Sequence, residues 1–248
     1  MARGTPVADL ARSIYLLWGH HPKPGRSGLT VPAIVDAGIE LADAHGLEAV
    51  SMRKVAEHLG VGAMSLYGYV PGKDDLTTLM TDSVYAEMYA DLDEAARAGD
   101  WREAMRFVAR RNWELYTRHP WLLEVRSPRP DLGPGVMRKY ETELRPLDGI
   151  GLSDVEIDSV LTLILGHVAD NARTHVQHVR ANRSGMSDAE WWHTVAPVLE
   201  QVMGDEHLPV SDRVGSTVGQ EFQAPANPEH IFAFGLEVIL DGVQARLG

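Results

Sequence analysis

The 248-residue sequence contains no cysteine, which excludes disulfides, thiolate zinc sites and thiol catalysis together. It has no apolar run near eighteen residues, so no transmembrane helix is expected. The short apolar patch Ile14–Trp18 is followed by histidines and prolines rather than a small-residue cleavage site, which argues against a signal peptide. A cytoplasmic protein without a membrane partner is the plain expectation. A Gly-Lys-Ser/Thr phosphate loop, a nucleophile elbow and a zinc-protease motif are all missing. An enzyme is therefore not expected, and no cofactor is implied. Runs of alternating β-branched residues are absent too, which leaves an all-α fold.

Also lacking is the basic excess usual in a nucleic-acid binder, since the net charge is −12. The acidity is unevenly placed. Residues 1–75 hold seven Lys/Arg against eight Asp/Glu, whereas residues 76–248 hold sixteen against twenty-seven. Within 51–73, Arg53, Lys54 and Lys73 oppose only Glu57. One edge of the first part can be locally positive while the rest repels DNA, which favours one docking orientation.

That edge coincides with the most informative stretch, residues 46–73. Ser51 is placed to cap a helix bearing Val55, Ala56 and Leu59 on one face. Gly60-Val61-Gly62 ends it and leads into a second short helix, Ala63 to Tyr69, which Pro71-Gly72 forbids from continuing. Such a pair is either a helix-turn-helix, which fits a helix into the DNA major groove, or an ordinary helical corner. Spacing alone leaves both open.

The flanking residues favour the first. Ile34, Ala37, Leu41, Gly46, Ser51-Met52-Arg53, Val55-Ala56, Leu59-Gly60-Val61, Leu66-Tyr67, Val70 and Lys73-Asp74-Asp75-Leu76 resemble the TetR (tetracycline-repressor-like) family of bacterial regulators. The resemblance is specific over Leu29 to Leu79. It is weaker beyond Thr81, where Arg118-His119-Pro120-Trp121-Leu122 and Phe234-Gly235-Leu236 resemble the effector domains of actinobacterial members. It implies three parts: a basic arm over 1–28, a three-helix DNA-binding head over 29–73, and a helical ligand-binding and dimerisation domain over 74–248. The implied function is a homodimeric repressor of double-stranded operator DNA, released by a small-molecule effector. An activator of the same fold, or a small-molecule binder whose helix-turn-helix is only scaffold, are the alternatives.

Helix signals continue along the chain. Thr30 caps a first helix that ends at Gly46, and a long connecting helix is expected from Lys73 to about Ala98. Asp100 with Glu103, Ser153 with Glu156, and Ser187 with Glu190 are capping boxes for helices over 101–118, 154–182 and 188–203. Another helix is expected over about 135–147. Residues 204–226 read as a mobile loop, and Asn227-Pro228 opens a last helix to 246. That last helix is apolar around most of its circumference and so must be covered on most sides. Gly235 and Gly242 would allow close crossing by a partner helix, as in the four-helix bundle through which the family pairs.

The resemblance and the helical count place Met52, Arg53, Ala63, Met64, Ser65, Tyr67, Gly68, Tyr69 and Lys73 at the DNA. Arg53 could pair with guanine or hold a phosphate, Ala63 and Met64 could touch thymine methyls, and Tyr67 and Lys73 match phosphate-gripping positions. Arg3, Arg12, Lys23 and Arg26 make the arm a candidate for the minor groove, with Pro22 and Pro24 discouraging helix there. For the effector, His167, Asn171, His175 and His178 form a polar seam beside an apolar stripe, the first three being candidate ligand contacts, and Trp113, Tyr116, Trp121, Met137 and Tyr140 could line the pocket. His175 and His178 lie three apart, but no carboxylate-rich partner motif accompanies them, so no metal is expected.

Overall fold

The computed structural model describes residues 6–21, 28–125, 130–204, 207–224 and 226–248. Among them every regular element is a helix. The chain divides into two compact units, residues 1–162 with Leu247, and residues 163–246 with Gly248.

In the first unit, α1 (Pro6–Leu17) precedes the head. Among the described residues of the expected arm, 6–17 are thus helical. Leu16 and Leu17 are buried, Ser13 Oγ donates to Asp75 Oδ1 at 2.7 Å, and Trp18 Nε1 donates to the Leu132 carbonyl at 2.8 Å. Pro22, Pro24, Arg3, Lys23 and Arg26 lie outside the described residues.

The head is α2 (Val31–His45), α3 (Met52–His58) and α4 (Ala63–Leu66). Local chemistry sets each boundary. Thr30 Oγ1 accepts from Ala33 N, and Ser51 Oγ from Lys54 N, both at 3.3 Å. Gly60 stands at φ 67°, the left-handed region where glycine carries no Cβ penalty, and so turns the chain out of α3. Val61 N then closes back on Ala56 O at 2.9 Å. Ile34, Val55, Leu66, Val70, Leu76 and Met80 are fully buried and form the head's core.

The connecting helix α5 (Lys73–Ala86) is shorter than the sequence suggests. Residues 87–95 leave the helix for turns and bends, followed by a 3-10 turn at Ala96–Ala98, because their own acidic side chains compete for the backbone. Asp91 Oδ1 accepts from Asp93 N at 2.9 Å, Glu94 Oε2 accepts from Ala90 N at 2.5 Å, and Arg97 pairs bidentately with Asp91 at 2.8 Å. Charge-assisted bonds of this kind hold the Asp91 carboxyl down at about 2.

Helix α6 (Trp101–Arg118) leads through a 3-10 turn over Pro120–Glu124 to α7 (Pro134–Leu144). Helices α5 and α7 approach backbone to backbone. A Cβ on Gly135 would lie 2.0 Å from the Asp82 carbonyl oxygen, and one on Gly133 would lie 2.2 Å from Asp82 Oδ1. The buried Asp82 carboxylate accepts from Val136 N at 2.9 Å. Burial raises its pKa against the opposing backbone donors Val136 and Gly135.

Helix α8 (Asp154–Ser184) begins in the first unit and continues in the second. The second unit adds α9 (Asp188–Met203), α10 (Pro209–Phe222) and α11 (Pro228–Leu247, whose last residue groups with the first unit). Ser187 and Glu190 form the expected reciprocal capping box. Helix α10 replaces the expected loop. Pro209 occupies its first turn, Val210, Val214 and Val218 recur every fourth residue, and Gly219 accommodates the Trp192 indole, 2.8 Å from where a Cβ would stand. That apolar period was hidden among Gly, Ser and Asp.

Candidate nucleic-acid interface and effector site

The head presents a short projecting helix above a buried support. Leu66 is inaccessible, whereas Met64 is 81% exposed and Tyr67 47%. Arg53, Ser65, Gly68 and Lys73 are exposed beside them, with Ala63 and Tyr69 partly so. Regular α4 stops at Leu66, and the turn over 67–69 is closed by Tyr69 N and Val70 N, both bonding to Leu66 O at 2.9 Å. Lys73 Nζ donates one bond to Leu47 O at 3.1 Å. Its ammonium is thereby held over the turn that follows α2.

Met52 is a correction. Its side chain is only 6% exposed, because a residue three and four positions before Val55 and Ala56 shares their helical face and packs inward. It supports the interface and leaves Arg53 and Lys54 to face outward. Lys54, absent from the expected set, is an exposed cation on the same helix.

The eight expected effector residues are differently disposed. Trp113, Tyr116, Trp121, Met137 and Tyr140 belong to the first unit, and His167, Asn171 and His175 to the second. Trp121 is fully buried and donates its indole N–H to Asp43 Oδ1 at 2.8 Å. Met137 and Tyr140 are 43% and 41% exposed rather than part of an enclosed wall, and the Tyr140 hydroxyl donates to Asp158 Oδ1 at 2.7 Å. Tyr116 is buried and Trp113 half-buried.

In the second unit the polar seam binds itself. His167 Nε2 donates to the Phe232 carbonyl at 2.9 Å, its ring stacks on Phe232, and Asn171 Nδ2 reaches His167 Nδ1 at 3.2 Å. His175 Nδ1 lies 3.5 Å from Glu229 Oε1, and His178 Nδ1 lies 3.3 Å from Asp188 Oδ2. Among the described residues no group of three metal-binding side chains converges.

The same region corrects the reading of Gly235. A Cβ there would stand 2.3 Å from His167 Cε1, so this glycine serves the crossing of α8 and α11 within one chain. Gly242 has nothing within 4 Å and remains open.

One cluster escaped sequence reading. Glu143, wholly buried on α7, accepts from Lys139 Nζ at 2.7 Å, Asn112 Nδ2 at 2.6 Å and Tyr89 Oη at 2.9 Å. Burial, then the Glu143 charge and hydrogen bond, raise the Tyr89 pKa far above its ordinary value. The tyrosine is therefore a donor throughout the physiological range. Lys139 and Tyr89 also line a small open cleft with Tyr85, Asp91, Arg138 and Thr142. The Lys139-to-Glu143 spacing was the only local signal, and it reads equally well as a solvated surface pair.

Comparison with known proteins identifies this architecture. Residues 34–78 match the family described as bacterial regulatory proteins, tetR family, and residues 95–247 match the tetracyclin repressor-like C-terminal domain. The chain is 42% identical over 243 residues to the HTH-type transcriptional repressor DrrR1 of Streptomyces coeruleorubidus, covering 95% of this chain and 86% of that protein. It is 28% identical over 233 residues to the HTH-type transcriptional repressor Rv1353c of Mycobacterium tuberculosis, covering 90% and 83%. Among solved structures, apo ActR from Streptomyces coelicolor superposes with a TM-score of 0.70 at 26% identity, covering 92% of this chain and 98% of ActR. ActR bound to actinorhodin superposes at 0.67 with 25% identity, covering 89% and 99%. The head that projects Met64 and Tyr67 from a buried support, and the helical domain that follows it, are those of the TetR family of transcriptional regulators, to which this chain belongs.

Proposed function

We propose that this chain is a homodimeric, cytoplasmic repressor whose two heads grip one operator and whose helical domain takes a small molecule that ends the grip. The observation that carries the DNA role is the segregation within the head. Arg53, Met64, Ser65, Tyr67 and Lys73 stand outward, while Leu66, Val55 and Val70 are buried beneath them. Half-exposed groups of this kind reach base edges and phosphates without disturbing the core. Among the described residues no helix is long and apolar enough to cross a membrane.

Pairing is supported by the second unit. Ile231, Phe234 and Val238 on α11 are 44%, 66% and 54% exposed, and Leu163 on α8 is 56% exposed. With the open Gly166 and Gly242 they form apolar faces on two helices that already cross at Gly235. Two such faces from two chains make a four-helix bundle.

The effector reading is supported by ActR, which binds actinorhodin in a similar fold. His167, Asn171 and His175, all in the second unit, remain the residues proposed to meet a ligand. Release then requires that the ligand favour a DNA-incompetent conformer by about 10²- to 10⁴-fold.

Selection from a random duplex pool tests the DNA role. Enrichment of a near-palindrome with half-site centres about 34–36 Å apart is expected. A reporter behind that sequence should fall when the protein is expressed. No enrichment would refute the reading, and a rising reporter would make the protein an activator.

Lys73→Ala should weaken binding to selected and scrambled duplexes alike and flatten the salt slope by about one unit, as loss of a phosphate contact does. Arg53→Ala should instead cost about 1–3 kcal/mol on the selected duplex only, if the guanidinium reads a base. Titrations of both variants at several salt concentrations separate the two roles.

A further inference from the structure

Asp43 lies in the last turn of α2, inside the head, yet its carboxylate serves the domain that follows. One oxygen, Oδ1, accepts the Trp121 indole N–H at 2.8 Å and lies 2.8 Å from His119 Nδ1. Trp121 is fully buried, and the His119 side chain is only 14% exposed. His119 is also the bend between α6 and the 3-10 turn at Pro120–Glu124. Its N–H bonds to Leu115 O at 2.8 Å, and its carbonyl accepts from Leu122 N at 3.0 Å. A single carboxylate oxygen thus fastens the head's first helix to the point where α6 turns.

This tie differs from ordinary core packing. An indole ring can be buried by shape alone, but its N–H costs free energy unless a partner meets it. The partner here comes from an element 78 residues away in the chain. Helix α5 is the covalent route from head to effector domain and packs into the head through Leu76 and Met80, an apolar contact that carries no directional bond. The Asp43 bonds add a directional attachment at α2.

We propose that Asp43 is a positioning residue for operator recognition, holding the head in fixed orientation on the effector domain through Trp121 and His119. The inference rests on the repressor reading above. Without the tie each head samples several orientations, and affinity for a two-half-site operator falls with the fraction correctly placed. Binding to scrambled DNA needs only phosphate contacts and is indifferent to that orientation.

The test uses full-length protein and two duplexes, the one wild type enriches from a random pool and a scrambled version of it. Asp43→Ala and Trp121→Phe should each weaken binding to the selected duplex by about tenfold, with scrambled binding unchanged. Asp43→Asn, whose amide oxygen still accepts the indole N–H, should recover most of the loss. The double variant Asp43→Ala/Trp121→Phe should lose no more than Asp43→Ala alone, because that substitution already removes the bond that Trp121→Phe removes. Additive losses, or undiminished affinity for the selected duplex, would overturn the proposal. Equal losses on both duplexes, which mark a folding defect, would overturn it as well. If Asp43→Ala does not fold, the same cycle is read with Asp43→Leu, which keeps the side chain's bulk, and failure of that variant to fold would make Asp43 structural. A wild type that enriches no duplex would refute the repressor reading itself and the positioning role with it.

Discussion

Phe234→Glu combined with Val238→Glu is expected to yield a folded monomer whose operator affinity is lower by about 10²- to 10⁴-fold. Both side chains are largely exposed in the single chain, at 66% and 54%. Charging them therefore costs each subunit little by itself. In the proposed bundle the same positions are buried, and each apolar side chain contributes about 1.5–3 kcal/mol. Burying a carboxylate in their place adds a desolvation penalty of several kcal/mol per ion. Once pairing is lost, the second head no longer binds as a tethered neighbour. Sedimentation of the variant and of wild type reads the outcome. An intact dimer in the variant would remove this face from the interface.

Glu143→Ala should be the most damaging single substitution outside the interface, lowering the unfolding free energy by about 3–5 kcal/mol. It leaves Lys139, itself only 8% exposed, as an unpaired buried cation, and strips the acceptor from Tyr89 and one of two from Asn112, whose amide also donates to Val108 O. Glu143→Leu with Lys139→Met should recover part of the loss, since removing both charges avoids the unpaired ion. Recovery stays incomplete because the Tyr89 hydroxyl and one Asn112 N–H still lack an acceptor. Urea unfolding of the three proteins measures both effects. A loss below about 1 kcal/mol for Glu143→Ala would mean that water replaces the carboxylate, contrary to a wholly buried group.

The head was legible in the sequence because its determinants are local. Thr30 and Ser51 cap within three residues, and Gly60 must turn where it does. Even the error at Met52 was correctable from periodicity, since 52, 55, 56 and 59 share a face. The rest depends on partners distant in sequence or on competition among weak local signals. Helix α5 stops at Ala86 because Asp91, Glu94 and Arg97 satisfy one another and the backbone, which a count of apolar positions does not register. Helix α10 was masked by its glycines, of which Gly219 makes room for Trp192. Gly235 was rightly read as a site of close approach, but the approaching group is the chain's own His167. Glu143 and Asn112 meet across 31 residues, and Asp43 and Trp121 across 78. Nothing in the local pattern of either pair announces the other.

The effector residues illustrate the same limit. Helical spacing correctly aligned His167 and Asn171 on α8, and the structure bonds them to each other. It could not reveal that Trp121 spends its indole N–H on Asp43, or that Met137 and Tyr140 face outward in the single chain.

The two-headed grip is tested most directly by moving the half-sites. Inserting about five base pairs, half a helical turn, between the halves of the selected duplex rotates one groove to the opposite face. Two chains per duplex are expected on the original site, with affinity falling by at least about 10²-fold on the lengthened one. Equal affinity for both duplexes, or one chain bound per duplex, would contradict the account.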